Sequence, residues 1–462
     1  MKKILALLVF VTSIANAQFT IRGTMTPPDK GDWVILYKLE GAKQKFVQNS
    51  TIQFDTVSIG NRKQAIGRFE LTLPADAKPG SYRVNYRERG GGFVDFLFNK
   101  ENVEFVFNPQ YPDQSVLFTK SIENKVYREY LEALSLTQRN VDSLQVAYIK
   151  SPSKDTKKKY KKAVESVENV QEIFEGKSKG MLAYNFIKSS KSFNPDNVLD
   201  DTKEYLNSVI NNYFTNIDFK NQQLYNSSFF IDKVTDYVFY LNIAETQDLQ
   251  QKLYKESIDK VMKHITEDKL RKEVAEYLIT KFTAARNSEI VDGLFDKYYS
   301  KLPSSLQDAE FREDKLATLR ASVGRTAPDF SWTEEGTAYK LSTINDANTY
   351  LLVFWSTGCP HCVDEVPALH TYMQKHKDVS VISFGIEMND LDWKEFVKNL
   401  PYFHNAIGTH PENKFDNETV QKYNLTGTPT YFVLNKDKKI IAMPNNLEEV
   451  KNYFSNSKVA AE

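Results

Sequence analysis

The chain has 462 residues, enough for about three domains of roughly 150 residues each. Its 60 basic and 60 acidic residues cancel to a formal net charge of zero, which gives no electrostatic case for binding nucleic acid or an anionic membrane. It contains only two cysteines, so structural disulfides elsewhere are excluded, and its 41% hydrophobic residues are sufficient for packed cores.

Residues 1–17 are predicted to be a secretory signal peptide. Lys2 and Lys3 precede a short apolar run, and the small residues Ala15 and Ala17 suit cleavage before Gln18. No cysteine follows the run that could carry a lipid anchor, and no later stretch reaches the roughly 20 apolar residues that span a bilayer. We therefore expect export to the periplasm or cell envelope and a mature chain without a membrane span.

Residues 18–118 predict a β-rich domain. Apolar and polar residues alternate in several runs, and turns containing Gly or Pro separate those runs. This period of two is typical of an all-β, sandwich-like domain. The segment has no cluster of His, Cys or carboxylates, so its aromatic residues are interpreted as core rather than as a ligand platform. The alternating positions are Phe69, Leu71 and Leu73; Tyr82, Val84 and Tyr86; Val94, Phe96 and Phe98; and Val103, Phe105 and Phe107.

Residues 119–320 predict a central all-α domain. Apolar residues recur there at helical spacing, with breaks near Pro152, Gly176, Pro195 and Pro303. The lysines within residues 157–162 are followed at once by glutamates, so we interpret them as a solvated helix face rather than a site for an anionic partner. The first helical stripe comprises Ile122, Val126, Tyr130, Leu134, Val141, Leu144 and Tyr148.

Residues 321–462 alternate predicted strands and helices after a boundary at ASVGRTAPDF, an order that fits an α/β sandwich. The predicted elements are a strand from Tyr350 to Trp355, a helix from Cys359 to about His376, a strand from Val379 to Ile386, a helix from Asp392 to Asn399, a hairpin of Thr430 to Asn435 with Lys439 to Met443, and a helix from Glu448 to Phe454.

Both cysteines lie at the junction between the first of these strands and the helix that follows it. Cys359 and Cys362 are three residues apart, so their side chains lie near one edge of the first helical turn. The unsatisfied amides of a helix N-terminus favour a thiolate over a thiol. Because such a pair can cycle between dithiol and disulfide, the sequence predicts a redox centre here.

Several motifs of this last segment resemble the thioredoxin superfamily: VGRTAPDF, the strand ending in FWSTGCPHC, the Glu365-Val366-Pro367 tripeptide and YNLTGTPTYFVLN. Within the superfamily they look most like the TlpA-like and ResA-like extracytoplasmic thiol-disulfide oxidoreductases. The resemblance implies a thioredoxin fold for residues 321–462. Near the N-terminus, FTIRGTM and WVILYKL resemble a β-rich domain of uncharacterised role that precedes thioredoxin-like modules in exported proteins of the Bacteroidetes.

The resemblance also implies roles for individual residues. Cys359 corresponds to the attacking thiol, Cys362 to the resolving thiol, and Pro429 to a cis-proline beside the pair. Glu365 corresponds to the active-site carboxylate of the ResA-like members. Val353 stands where thioredoxin itself carries a buried Asp, a departure that fits the ResA-like relatives.

Elementary chemistry is consistent with these roles. Cys359 lies closer to the helix start and should have the lower pKa, whereas Cys362 can attack the mixed disulfide that Cys359 forms. Pro360 fits a first helical turn because its missing N–H would have no partner there. His361 can place an imidazolium near the thiolate, and Glu365 can accept a proton from Cys362.

A cis bond between Thr428 and Pro429 would hold an extended edge against a substrate peptide. His370 and His376 are expected to be ordinary surface histidines. No cofactor or metal is expected beyond the redox-active Cys359–Cys362 disulfide.

Other classes of function fit the sequence less well. A single CxxC lacks the second ligand pair of a structural zinc site, and covalent haem is excluded because Val363 follows the second cysteine. A peroxidase needs its cysteine in a different local context. The alternative that stays open is a non-enzymatic envelope binding protein whose thioredoxin-like module serves for docking. It is disfavoured because Cys359, Pro360, Cys362, Glu365 and Pro429 are all present.

The direction of electron flow is left open by the sequence. Pro360 and His361 form the dipeptide of strongly oxidising relatives, with potentials near −120 mV against about −270 mV for thioredoxin. The surrounding domain resembles reductants, so we expect an intermediate potential. The expected partners are envelope proteins that carry thiols or disulfides, together with an upstream redox partner, because no other cysteine in this chain can recharge the pair.

Overall fold

The structure, a computed structural model, describes residues 18–459 except residue 61 and residues 88–90. The predicted signal peptide lies outside the described residues. Within them, no helix has both the length and the apolar character needed to cross a membrane. The chain divides into two compact units, one ending at Val274 and the other beginning at Ala275.

The first unit opens with a β-sandwich. One sheet has the order β4-β5-β1-β8-β9 and the other has the order β3-β2-β6-β7. The apolar residues that alternate in the sequence form the core between the two sheets, which confirms the predicted all-β architecture. The strands are β1 (Phe19–Met25), β2 (Trp33–Glu40), β3 (Lys43–Thr51), β4 (Gln53–Ile59), β5 (Arg62–Leu73), β6 (Gly80–Asn85), β7 (Phe93–Phe98), β8 (Val103–Phe107) and β9 (Leu117–Lys120).

Helices follow the sandwich in the same unit, as the change of period predicted. Ser121 caps the first long helix by accepting a hydrogen bond from the amide of Asn124, and Ile122 beside it is exposed rather than part of the buried stripe. The buried Glu123 carboxylate accepts hydrogen bonds from the amides of Leu182 and Ala183, at 2.9 and 2.7 Å. The helices are α1 (Pro112–Ser115), α2 (Ile122–Lys150), α3 (Lys154–Lys177), α4 (Ala183–Ser189), α5 (Thr202–Asn211), α6 (Phe229–Thr235) and α7 (Gln247–His264), and α8 (Asp268–Ala284) runs across the division.

The second unit contains a five-stranded mixed sheet with the order β14-β13-β12-β15-β16. The central strand β12 is parallel to β13 and antiparallel to β15. Two apolar clusters cover the two faces of this sheet. The elements are α9 (Ser288–Lys297), α10 (Ala309–Thr318), β10 (Ser331–Glu334), β11 (Thr337–Lys340), β12 (Thr349–Trp355), α11 (Pro360–Met373), β13 (Val379–Glu387), α12 (Leu391–Phe396), β14 (His404–Thr409), α13 (Glu418–Lys422), β15 (Thr430–Asn435), β16 (Ile440–Ala442) and α14 (Leu447–Val459).

The multidomain fold class predicted from the sequence is confirmed, from the β-rich region through the helical region to the thioredoxin fold. The expectation of surface positions for His370 and His376 was wrong, since each is only 7% exposed. His370 lies at the C-terminal end of α11 and packs against Tyr402 and Phe403. His376 packs against Phe454 of α14. Both rings are buried by side chains that are distant in the sequence, from the turn before β14 and from α14, and a single sequence does not show such contacts.

The second unit includes chain that precedes the predicted domain boundary at residue 321. The Ser288 hydroxyl donates to the carbonyl of Val323 at 2.8 Å. The Arg286 guanidinium donates to the carbonyls of Ala321 and Asn424, at 3.3 and 3.2 Å. Residues from α9 and its flanks therefore help to hold the start of the thioredoxin-like segment in place.

This arrangement predicts that a fragment of residues 275–462 is more stable than one of residues 321–462. The shorter fragment loses the Ser288 and Arg286 hydrogen bonds, each worth about 1 kcal/mol. Thermal unfolding followed by circular dichroism should show a Tm lower by at least about 5 °C for the shorter fragment. Equal Tm values would show that α9 and its flanks contribute nothing to this unit.

Candidate active site

The two cysteines lie at a strand-to-helix junction, as the sequence predicted. Side chains from Tyr350 to Trp355 of β12 are fully buried, so the strand is fixed in the middle of the sheet. A short turn then leads to Cys359, which is the N-cap of α11. Cys359 Sγ accepts a hydrogen bond from the amide of Cys362 at 3.3 Å, in place of the hydroxyl or carboxylate oxygen that usually occupies an N-cap.

Cys359 is the accessible member of the pair. It is partly exposed, and its Sγ lies 3.4 Å from the carbonyl oxygen of Thr428. Burial alone would raise the pKa of Cys359, but hydrogen bonds with the Cys362 thiol, the Thr428 side chain and the amides of Cys362 and His361 outweigh burial and lower that pKa from its usual value. Cys359 is thus the side chain prepared to act as a nucleophile.

Cys362 is fully buried one turn further into α11. Burial raises its pKa to about 12, and the hydrogen bond to Cys359 adds to the effect. The two thiols are free in this structure rather than joined. The geometry therefore separates a thiolate-forming sulfur at the surface from a protonated sulfur beneath it.

The loop before β15 lies beside Cys359. The Thr428–Pro429 peptide bond is cis. Thr430, the first residue of β15, donates its hydroxyl to the carbonyl of Gly427 at 2.8 Å. Sequence reasoning placed Thr428 and Pro429 next to the cysteines, and the structure brings them there from 69 residues away along the chain.

Glu365 lies on α11, half-buried, and accepts a hydrogen bond from the phenol of Tyr431 at 2.9 Å. Tyr431 is fully buried on β15, two residues after Pro429. Sequence reasoning identified Glu365 but missed Tyr431. The position of Tyr431 directly after the TGTPT motif was the signal available, because a continuous buried run such as TYFVLN does not show which polar group a tyrosine hydroxyl will meet.

Pro360 and His361 are both exposed in the first turn of α11. Pro360 occupies the first helical position, where its missing N–H leaves no gap in the hydrogen bonding. His361 contributes its backbone amide to the stabilisation of the Cys359 thiolate.

A buried carboxyl side chain that the sequence analysis did not identify, Glu387, fixes the turn that leads into α11. Glu387 at the end of β13 accepts hydrogen bonds from the amide and hydroxyl of Thr357, at 2.6 and 3.0 Å, and from the hydroxyl of Ser356 at 3.3 Å. Lys414 donates to the same Ser356 hydroxyl at 2.7 Å. A charged residue that ends the apolar run VISFGIE was the sequence signal that could have revealed this anchor.

Across the described ranges, no group of three or more His, Cys, Asp or Glu side chains is arranged to hold a metal ion. The polar groups around the cysteines are instead suited to handling protons and thiolates. This arrangement can support thiol-disulfide exchange, in which Cys359 attacks a disulfide and Cys362 resolves the mixed disulfide that forms.

The segment that contains the two cysteines is similar to several known proteins. Residues 322–458 match the Redoxin family. A thiol-disulfide oxidoreductase ResA of Bacillus thuringiensis subsp. konkukian is 29% identical over 134 residues, which cover 28% of this chain and 70% of the relative. A ResA of Bacillus cereus is 29% identical over 152 residues, which cover 32% of this chain and 75% of the relative. A solved domain of a possible thiol-disulfide isomerase from Cytophaga hutchinsonii is 27% identical and covers 30% of this chain and 95% of its own, with a TM-score of 0.26.

The difference between the two thiols predicts selective alkylation. In the reduced protein at pH 7, iodoacetamide should modify Cys359 and leave Cys362 unmodified, because only the thiolate reacts and the pKa of Cys362 is raised to about 12. Tandem mass spectrometry of the peptide that carries both residues measures the two sites separately. The Cys359→Ser variant should lose neutral-pH labelling, and labelling of Cys362 at the rate of Cys359 would contradict the assignment.

Proposed function

Because its C-terminal domain is a thioredoxin-superfamily oxidoreductase domain of the TlpA-like and ResA-like type, we propose that this chain is an exported enzyme that reduces or exchanges disulfides in envelope proteins through Cys359 and Cys362. The observation that carries the proposal is the pair of unequal thiols at the start of α11, one accessible with a lowered pKa and one buried with a raised pKa.

The reduction proceeds in two exchanges. The Cys359 thiolate attacks a substrate disulfide, one substrate sulfur leaves as a thiolate, and the other stays joined to Cys359. Cys362 then loses its proton and attacks the Cys359 sulfur, which releases the second substrate thiol. The substrate gains two electrons and the enzyme is left with a Cys359–Cys362 disulfide. A dithiol of an upstream partner protein returns the pair to the reduced state.

The loop containing Pro429 is proposed to hold the substrate during these exchanges. Thr428 and Pro429 are half-buried beside Cys359, outside the hydrogen-bonded part of β15. Extended peptides commonly bind to proteins through hydrogen bonds between main chains. A substrate segment alongside Thr428 would place its disulfide next to the Cys359 sulfur.

Export rests on the sequence of residues 1–17 and is consistent with the ResA relatives. Outside the cytoplasm, a site of this kind meets protein thiols rather than a glutathione buffer. Thiol-bearing and disulfide-bearing envelope proteins are therefore the proposed substrates.

Insulin reduction tests the proposed activity. The full mature chain, supplied with a dithiol reductant, should accelerate precipitation of the insulin B chain, and Cys359→Ser should reduce the rate to that of the reductant alone. Cys362→Ser should accumulate a mixed disulfide with insulin, visible on a non-reducing gel, because the resolving thiol is absent. Unchanged turnover in Cys359→Ser would favour a docking protein without redox activity.

His361→Ala tests the direction of electron flow. A positive charge beside Cys359 would stabilise its thiolate and hence the reduced form, which would make the disulfide easier to reduce. Replacing His361 with Ala should raise the pKa of Cys359. It should also lower the equilibrium constant for reduction of the Cys359–Cys362 disulfide by glutathione by about tenfold, which corresponds to a redox potential about 30 mV more reducing. His361→Lys keeps a positive charge and should stay close to the wild-type value. If the equilibrium constant is unchanged in His361→Ala, the redox partner and not this dipeptide sets the direction of electron flow.

A further inference from the structure

The resolving step poses a problem that the two cysteines alone do not solve. Cys362 must lose a proton before it can attack, yet it is fully buried and its pKa is raised to about 12. At neutral pH almost all of this thiol is protonated. A base placed near the buried sulfur would remove that proton as the new S–S bond forms, an effect that contributes a factor of about 10² or more in rate.

Val353 of β12 packs in the same apolar cluster as Cys362, but its side chain cannot accept a proton. Glu365, three residues after Cys362 on the same side of α11, is the carboxylate available from the helix. A glutamate side chain has three rotatable bonds and would swing toward water if nothing held it.

Tyr431 supplies the restraint. Its phenol donates to Glu365 Oε2 at 2.9 Å, and its ring is fully buried in the cluster that contains Cys362. Burial, and then the hydrogen bond to Glu365, raise the pKa of Tyr431, so the phenol stays protonated and keeps its role as donor. Both cysteine sulfurs also raise the pKa of Tyr431, which places the phenol within electrostatic reach of the pair.

We infer that Tyr431 is a positioning residue for the resolving step, because its phenol holds the Glu365 carboxylate where that carboxylate can take the proton of Cys362. This inference rests on the proposed function and assigns the residue that orients its base. In the step itself, the bond between Cys359 and the substrate sulfur breaks and the Cys359–Cys362 bond forms. The substrate sulfur leaves as a thiolate, and the Cys362 proton moves to Glu365.

The aromatic disulfide DTNB separates the two exchanges in one experiment. Attack by Cys359 releases a first coloured nitrothiobenzoate, and resolution by Cys362 releases a second. Stopped-flow absorbance of the reduced full-length mature chain should therefore show two phases, and Cys362→Ser should lose the second. This readout requires only a dithiol, so it stays informative if the chain fails to reduce insulin.

Tyr431→Phe removes only the hydroxyl. We expect the first phase to stay within twofold of wild type and the second to slow by about tenfold at pH 7, a fraction of the full effect of a general base. The loss should shrink as pH rises toward the pKa of Cys362, because hydroxide then removes the proton. A purely structural role for Tyr431 would not produce this dependence on pH.

Tyr423→Phe is the matched control. Tyr423 is also fully buried in this unit, and its hydroxyl donates to the carbonyl of Pro328 at 2.7 Å. It belongs to the apolar cluster on the opposite face of the sheet from Cys362. This variant loses one buried hydrogen bond of the same kind, and both of its phases should stay within twofold of wild type.

A double-mutant cycle of Tyr431 and Glu365 tests whether the two side chains act together in the second phase. Glu365→Gln should slow the second phase at least as much as Tyr431→Phe does. In the double variant the second phase should be no slower than in Glu365→Gln, because a positioning residue acts only through the group that it positions. A wild-type second phase in Tyr431→Phe, or two effects that multiply in the double variant, would overturn the inference.

Discussion

The site depends on one hydrogen bond at the start of α11, from the amide of Cys362 to the sulfur of Cys359. It makes Cys359 the N-cap of the helix, so a sulfur takes the place where helices favour negative charge. The next turn places Cys362 inside the domain, where burial favours the neutral thiol. Two cysteines only three residues apart therefore have pKa values that are shifted in opposite directions.

That hydrogen bond can form only if the helix starts at a fixed point. The preceding strand β12 is buried on both faces and lies in the centre of its sheet, which fixes where the chain leaves the strand. Glu387 and Lys414 then fix the turn through Thr357 and Ser356. The buried Glu387 side chain accepts three hydrogen bonds, as a buried polar group requires. The buried strand and the turn after it thus fix the position of the Cys359 sulfur at the protein surface.

Much of this arrangement can be predicted from the sequence. The apolar run before the cysteines, the Pro at the first helical position and the thioredoxin-like motifs predict the strand, the helix and the pair itself. Strands with weak alternation escaped prediction: β3 (KQKFVQNST) is largely polar, and β14 opens with His404 and Asn405. Glu387 and Tyr431 escaped for a different reason. Their roles arise from partners 30 and 66 residues away, and a single sequence does not show which distant side chains meet.

The meeting of Tyr431 with Glu365 follows from strand register. Tyr431 of β15 lies directly opposite Val353 of β12, and both point to the face that α11 covers. Because side chains alternate between faces, a shift of one residue would send the phenol to the other side of the sheet and leave Glu365 without its donor. The residue that thioredoxin places at the position of Val353 is an acid on the strand itself. Here the strand position is apolar, and the polar pair comes from α11 and the neighbouring strand β15. The position of Glu365, the proposed proton acceptor, therefore depends on the packing of α11 against β15 as much as on the motif around the cysteines.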